Sequence, residues 1–179
     1  EGPLVSIVVI TYNSAKYVIE TLESVKTQTY KNIELIISDD FSTDNTLEIC
    51  KIWLENNRRH FMSAKLLDYH INTGIAPNCN RGIRVASGAW IKLIAGDDYL
   101  HNDAILNMFE TIDQYPEAKI VIGKTKIFKS NSESIIKETG VCSNNLPIKS
   151  QQKLVLRKHI PTRAVSAFIR TDVFSKNGL

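Results

Sequence analysis

Two adjacent carboxylates, Asp97 and Asp98, follow the apolar run Trp90-Ile91-Lys92-Leu93-Ile94 after a break at the small residues Ala95-Gly96. An apolar run of that length is strand-sized, and a strand that ends on acidic residues delivers them to the edge of a sheet. Neighbouring carboxylates repel each other and stay ionised together most easily beside a cation, so the pair suits a hard divalent metal with oxygen ligands. The competing explanation is that Asp97 and Asp98 only open the next helix, since Asp is a good N-cap. Asn102 and Asp103 stand closer to the apolar positions Ala104, Ile105, Met108 and Phe109, and could fill that role instead.

The elements that would position these groups follow from periodicity. Residues 4–10 form a β-branched run that reads as a buried first strand, and Ser14 starts a helix carrying Tyr17, Val18, Leu22 and Val25 at helical spacing. A second strand is expected at 33–38. The polar loop Asp39-Asp40-Phe41-Ser42-Thr43-Asp44-Asn45 follows, then an amphipathic helix with Leu47, Ile49, Cys50, Trp53 and Leu54, for which Asp44 is the cap. Residues 65–70 are a weaker strand; Pro77 or Asn78 opens a helix to Ala86 that Gly88 ends; the strand 89–95 then leads to Asp97-Asp98 and a helix over 102–115, stopped by Pro116. This alternation predicts a mostly parallel, three-layer α/β/α sheet with right-handed crossovers, whose ligands bind outside the carboxyl ends of the strands. Residues 11–13, 39–44 and 97–98 lie at those ends and converge on one edge. Beyond them, 118–127 is expected as one more strand, 130–145 as loops with a hairpin, 150–157 as a short helix, 164–170 as a strand, and a last helix begins at Thr171.

With 179 residues, 43% hydrophobic and 23% charged, the chain fits one globular domain. Lysine plus arginine total 22 against 19 acidic residues, a net +3 that argues for neither nucleic acid nor an anionic membrane as partner. Cys50, Cys79 and Cys142 are odd in number, far apart and without metal-ligand spacing, so a reducing, cytoplasmic setting is expected, with a peripheral place at a membrane left open. No run is long enough for a membrane span, and none resembles a signal segment. Glu1-Gly2-Pro3 reads as a processing scar, and Asn177-Gly178-Leu179 carries no natural stop, so the chain is expected to be cut short.

A nicotinamide-binding domain would carry G-x-G-x-x-G after its first strand, and a P-loop would carry G-x-x-x-x-G-K-[ST]. This chain has Thr11-Tyr12-Asn13-Ser14-Ala15 there. Without glycine-rich amides, a nucleotide's phosphates need a metal to neutralise them, and Asp97-Asp98 stands where that metal is required.

Five stretches in order, Ser6-Ile7-Val8-Val9-Ile10-Thr11-Tyr12-Asn13, Gln28-Thr29-Tyr30, Glu34 through Asp44, Asn72-Thr73-Gly74 with Asn80-Arg81-Gly82, and Gly96-Asp97-Asp98, resemble family 2 glycosyltransferases. The resemblance covers roughly the first two thirds of the chain. It implies a GT-A fold, a Rossmann-like nucleotide-sugar-binding half (1–98) joined to the start of an acceptor-binding half (99–179) in a single domain. It implies a metal-dependent, inverting glycosyltransferase that moves a sugar from a UDP-sugar to an acceptor hydroxyl in polysaccharide or glycolipid synthesis, with a saccharide or lipid-linked acceptor. By similarity Thr11 and Tyr12 line the base pocket, Asp40 accepts a hydrogen bond from a uracil ring nitrogen, Asp97 contacts the ribose or metal shell, and Asp98 binds Mn2+ or Mg2+ bridging the diphosphate. Many members read Asp-x-Asp-Asp; here Ala95 replaces the first Asp. The family's catalytic base normally lies downstream of Ala167-Phe168-Ile169-Arg170 and is expected beyond Leu179.

Several residues carry two readings. Arg81 could meet the base or a phosphate, whereas Arg84 is more simply a solvated helix face. His101 could approach the sugar or metal, or hydrogen-bond backbone in a loop. Asp172 is the nearest acidic candidate for the base, but its place after a strand reads more simply as a helix cap. Lys149, Lys153, Arg157, Lys158 and His159 form a basic patch, either an anion site or solvated surface. Trp53 and Trp90 fall on apolar faces and read as core. Two other functions fit an α/β chain of this kind: a nucleotidyltransferase, which should carry a glycine- and lysine-rich first loop, and a non-catalytic nucleotide- or carbohydrate-binding module.

Overall fold

In the computed structural model, which describes residues 2–128, 135–139 and 166–175, the first strand β1 (Val5–Thr11) is covered on both faces. That is why its sequence is a continuous apolar run rather than an alternating one. After it come α1 (Val18–Lys26), β2 (Ile33–Asp39), α2 (Thr46–Asn57), β3 (Ser63–Asp68), α3 (Ile75–Arg84), β4 (Trp90–Ala95), α4 (Ala104–Gln114), β5 (Ile120–Ile122), β6 (Thr125–Phe128), β7 (Ile135–Thr139), β8 (Ala167–Arg170) and the short α5 (Asp172–Ser175). Six strands form one sheet in the order β3-β2-β1-β4-β8-β5; β3, β2, β1 and β4 are parallel, and β8 runs antiparallel to both its neighbours. β6 and β7 pair with each other, antiparallel and apart from the main sheet; only β7 falls within 130–145, where a hairpin is expected, and β6 comes from the stretch expected as a single strand.

Each strand alternates its side chains between two cores. Val5, Ile7 and Val9 of β1 join Leu35 and Ile37 of β2 and Trp90 and Ile94 of β4 beneath α1, α2 and α4, through Leu22, Val25, Trp53, Ile105 and Met108. On the other face Val8, Ile36 and Ile91 pack under Ile83 of α3, with Phe174 of α5 against them. The result is the α/β/α layering read from the sequence. Gly82 makes the second layer possible: a Cβ there would lie 2.3 Å from Val8 Cγ1. Trp53 and Trp90 are core residues, as expected.

Some boundaries differ from the expectation for physical reasons. α1 becomes regular only at Val18, although Ser14 O already accepts the Val18 amide (2.9 Å); the Ser14 and Ala15 amides ahead of it, which no helical carbonyl can serve, are taken by Thr46 and Asp44. α3 begins at Ile75, after Gly74 at φ 89°, and Pro77 falls within the first turn, where its missing N–H costs nothing. The expected strand over 118–127 divides at Gly123 into β5 and β6, which belong to different sheets; the Gly123 amide turns aside to Ser166 O, 2.8 Å away. The expected helix at 150–157, the basic patch from Lys149 to His159 and Cys142 lie outside the described residues. Among those described, no helix is long and apolar enough to cross a membrane.

Candidate functional site

Strand register sets the site. Thr11 pairs with Asp39 and Ile10 with Ala95, so β1, β2 and β4 end together on one sheet edge. A cavity of about 680 Å³ opens there, and Thr11, Tyr12, Asp40, Asn78, Asp97 and Asp98 are among the residues lining it.

The loops after β1 and β2 are stitched to each other. Asn13, at φ 49°, accepts the Thr43 amide (2.8 Å) through its side chain and donates its own amide to the Ser42 hydroxyl (2.9 Å). Asn tolerates the left-handed region better than most residues, which suits it to this turn. Asp39 is fully buried and accepts from the Thr11 hydroxyl (2.7 Å), the Ser42 amide (2.8 Å) and the Ser42 hydroxyl (2.6 Å). Asp44 stands one place ahead of the N-cap position of α2, occupied by Asn45, and bridges the Thr46 amide to the Ala15 amide. Thr11 is therefore held in place by Asp39, while Tyr12 is left 49% exposed on the cavity wall.

Asp40 is the best-held carboxylate of the site. Its oxygens accept from the Thr73 amide (3.1 Å to each), the Thr73 hydroxyl (3.1 Å), the Gly74 amide (2.7 Å) and Arg81 Nη1 (2.9 Å). Burial alone would raise its pKa; the Thr73 amide, the Arg81 guanidinium and the Gly74 amide outweigh burial and hold the carboxyl below its ordinary range. Arg81 also bonds the Thr73 hydroxyl and lies over the Tyr69 ring, 4.0 Å from its centre. It stands behind Asp40 and is not part of the cavity wall. Arg84 is exposed.

The acidic turn is held from two sides. Gly96 donates to Ile10 O (2.9 Å), and a Cβ on it would approach Thr11 Cγ2 to 2.8 Å, so only glycine lets the turn lie against the first loop. From α1, the Thr21 hydroxyl donates to Asp98 O (2.6 Å) and the Ser24 hydroxyl accepts from Leu100 N (3.1 Å). Buried Gln28 donates to His101 O (2.8 Å) and accepts from Ile105 N (3.3 Å). Gln28 thus satisfies the amide that neither Asn102 nor Asp103 reaches: Asp103 occupies the N-cap position of α4 without a side-chain capping bond. Asp97 and Asp98 precede that helix by several residues and do not open it. Asp97 is exposed and Asp98 half-buried. Among the described residues no group of three or more His, Cys, Asp or Glu side chains comes together to hold a metal. Two hard carboxylates on an open wall still fit Mn2+ or Mg2+, ions that commonly take one or two carboxylates and complete their shell with phosphate and water oxygens.

Three buried polar side chains around the site escape the sequence reading. Asn78 is buried and ties the strand ends to α3, accepting from the Ser38 hydroxyl (2.5 Å) and donating to Ser38 O (3.0 Å) and Thr11 O (3.4 Å). Its spacing of four from Gly82 on the helix's inner face was the available signal. Gln28 sits in a quoted motif but gave no hint of its distant partners. Lys92 interrupts an apolar strand on the face shared by Trp90 and Ile94, yet is only 1% exposed. Its Nζ donates to Ala167 O (3.3 Å); burial pushes its pKa down to about 7, against the opposing pull of the Asp98 charge.

Two other candidates stand apart from the cavity wall. The His101 side chain is exposed and accepts from the Asp103 amide (3.4 Å), the backbone-bonded alternative of its two readings. Asp172, in the first turn of α5, is gripped by Arg170 (3.0 Å) and Lys119 (2.8 Å), which hold its carboxyl well below the usual carboxylate range.

Residues 6–178 match the family model described as Glycosyl transferase family 2. Among curated relatives, glycosyltransferase GlyG of Streptococcus pneumoniae is 38% identical over 120 residues, 67% of this chain and 38% of the relative. A chondroitin synthase of Escherichia coli is 34% identical over 155 residues, 85% of this chain and 21% of the synthase. The chain thus spans less than half the length of these relatives. Among solved structures, S. aureus TarS 1-349 in complex with UDP-GlcNAc superposes with a TM-score of 0.73 at 25% identity, over 97% of this chain and 47% of that one.

Proposed function

The chain belongs to glycosyl transferase family 2, with the GT-A fold, and from that premise we propose that it is the donor-binding part of an inverting glycosyltransferase. The donor is a UDP-sugar and the acceptor a hydroxyl of a growing polysaccharide or glycolipid. One observation carries this reading: a single cavity holds a constrained carboxylate, Asp40, beside Thr11 and Tyr12 at one side and the acidic turn Asp97-Asp98 at the other, with no glycine-rich phosphate loop between them. The TarS complex with UDP-GlcNAc and the chondroitin synthase are consistent with a UDP-sugar and with polysaccharide synthesis.

In this assignment Tyr12 and Thr11 flank the base, and Asp40, kept anionic by its donors, accepts the uracil N–H. Arg81 orients Asp40 from behind rather than touching base or phosphate. Asp97 and Asp98 hold Mn2+ or Mg2+, which supplies Lewis-acid neutralisation of the diphosphate when bound. The acceptor-activating base is assigned outside the described residues, since Asp172 is held in an ion pair away from the cavity.

Calorimetric titration with UDP, GDP and ADP, with and without Mn2+, tests the reading. UDP should bind most tightly and only with Mn2+ present, and Asp98→Ala should weaken UDP by at least about tenfold, the effect of losing one charged ligand. UDP heat that depends neither on metal nor on Asp98 would remove the metal assignment, and a preference for GDP or ADP would remove the uridine one.

A further inference from the structure

Helix α1 turns a polar stripe toward the segment that begins at the acidic turn. Thr21 and Ser24 lie three apart on α1 and Gln28 follows four later, just past its end, a spacing that sets all three on one side. Each bonds main chain of residues 98–105: the Thr21 hydroxyl donates to Asp98 O (2.6 Å), Ser24 Oγ accepts from Leu100 N (3.1 Å), and Gln28 donates to His101 O (2.8 Å) and accepts from Ile105 N (3.3 Å). The stripe is also bonded along itself, since the Ser24 hydroxyl donates to Thr21 O (2.7 Å) and the Gln28 side-chain amide to Ser24 O (3.0 Å). A threonine inside a helix ordinarily turns its hydroxyl back to the carbonyl one turn earlier. Buried Thr21 reaches instead across 77 positions, to the carbonyl of a residue whose side chain is one of the two acids lining the cavity.

The other end of the same helix meets the other end of the cavity. Ser14 and Tyr17, which lead into α1, line the cavity together with Tyr12, and Ser14 O accepts the Tyr17 and Val18 amides (2.9 Å each). α1 thus runs from the loop beside Asp40 to the acidic turn. The turn's own bonds, Gly96 N to Ile10 O (2.9 Å) and Asp98 N to Ala95 O (3.1 Å), fix its entry, whereas the peptide that leaves Asp98 is fixed through its carbonyl by Thr21. The direction of a side chain follows from the backbone on both sides of it.

We propose that Thr21 is a positioning residue for the diphosphate end of the donor site: by clamping the Asp98 carbonyl to α1 it sets where the acidic turn stands relative to the base loop. The proposal rests on reading Thr11, Tyr12 and Asp40 as the base end and Asp97-Asp98 as the metal-diphosphate end. Thr21 itself is not part of the cavity wall.

Thr21→Val removes the hydroxyl at nearly constant shape, and Thr21→Ser keeps it. Each is titrated calorimetrically with uridine, which engages only the base end, and with UDP in MnCl2, which engages both ends, beside urea unfolding. One hydrogen bond corresponds to about three- to tenfold, so Thr21→Val should weaken UDP in MnCl2 by that factor and leave uridine within about twofold of wild type, while Thr21→Ser stays within about twofold on both. A residue that only supports the fold would lower the urea midpoint and leave the ratio of UDP to uridine affinity unchanged, and that outcome overturns the proposal. A Thr21→Ser variant as weak for UDP as Thr21→Val overturns it as well. Should Thr21→Val not fold, Ser24→Ala, which removes the acceptor of the Leu100 amide from the same stripe, must show the same split, and an unchanged ratio there overturns the proposal. The donor-site reading is judged on the wild type alone: a wild type that binds no UDP, or binds it without need of Mn2+, refutes that reading, whereas a wild type that binds UDP with Mn2+ beside a Thr21→Val variant that binds it equally well refutes only the positioning role.

Discussion

Asp40→Asn separates base recognition from scaffolding. The carboxylate meets four donors, the Thr73 amide and hydroxyl, the Gly74 amide and Arg81. A carboxylate offers about four lone-pair sites, so a base N–H must share or displace one of these bonds, and the Thr73 amide, bifurcated at 3.1 Å to both oxygens, is the weakest held. A hydrogen bond to a charged group contributes about 1.5–3 kcal/mol; because one existing bond is weakened in exchange, the lower figure applies, which is about tenfold in affinity. Cytosine presents a bare ring nitrogen at the position where uracil presents N–H, and an asparagine amide can donate to it. Asp40→Asn should therefore weaken UDP by about tenfold, leave CDP unchanged or tighter, and collapse the preference between them. The fold should survive: breaking a buried ion pair costs about 3–5 kcal/mol, but Arg81 is 12% exposed and keeps its contacts to Tyr69 and Thr73, so about 2–3 kcal/mol is expected. Calorimetry with UDP and CDP, beside urea unfolding, provides the check. A folded variant with UDP affinity within twofold of wild type, or with an unchanged UDP-to-CDP ratio, would refute the assignment of Asp40 to the base.

Two further expectations concern the frame. Glu34, buried at the opposite end of the sheet, has its pKa lowered from the usual 4.5 to about 2: burial raises it, but the Ser6 hydroxyl, the Ser87 amide, Lys65 and the Ser87 hydroxyl prevail. A lowered folded pKa gives stability that is present above about pH 4.5 and lost as pH falls toward 2, here about 3 kcal/mol, so urea midpoints of wild type and Glu34→Gln should converge across that window; parallel curves would contradict this. Gln28→Ala leaves the Ser24 and His101 carbonyls and the Ile105 amide without their partner and should cost about 2–4 kcal/mol in a urea melt while weakening UDP binding in Mn2+, whereas Gln28→Glu, which keeps the acceptor for Ile105 but turns a charged oxygen toward two carbonyls in a buried site, should lose at least as much.

The layered sheet was legible because β1, β2 and β4 are buried on both faces and read as continuous apolar runs. Thr11, Tyr12, Asp40, Asp97 and Asp98 were legible for a related reason: polar loops at the carboxyl ends of parallel strands must share an edge, and the structure brings all five to one cavity. Arg81 is recognisable as a candidate that could meet the base or a phosphate, but that Asp40, 41 positions away, takes its guanidinium has no local trace. Gln28, Asn78 and Lys92 left still less trace. Each is a buried polar side chain with a partner 40 to 77 residues distant, and such long-range pairings carry no period. The division at Gly123 was missed because Ala118 to Ile127 is apolar enough to be one strand; only the pull of Ser166, far along the chain, shows that it is two.

The carboxylates of this molecule fall into two kinds, and the difference organises the proposed chemistry. Glu34, Asp39, Asp40 and Asp44 are surrounded by amides, hydroxyls and cations of the chain itself, so their geometry is set before any ligand arrives. Asp97 is exposed on the cavity wall, and no hydrogen bond from a described residue reaches its side chain. The end proposed for the base is thus preformed, which would lower the ordering cost of binding a nucleoside there. The end proposed for the phosphates carries two carboxylates and would repel a diphosphate that came without a cation. Ala95, standing where many relatives carry an acid, reduces that repulsion.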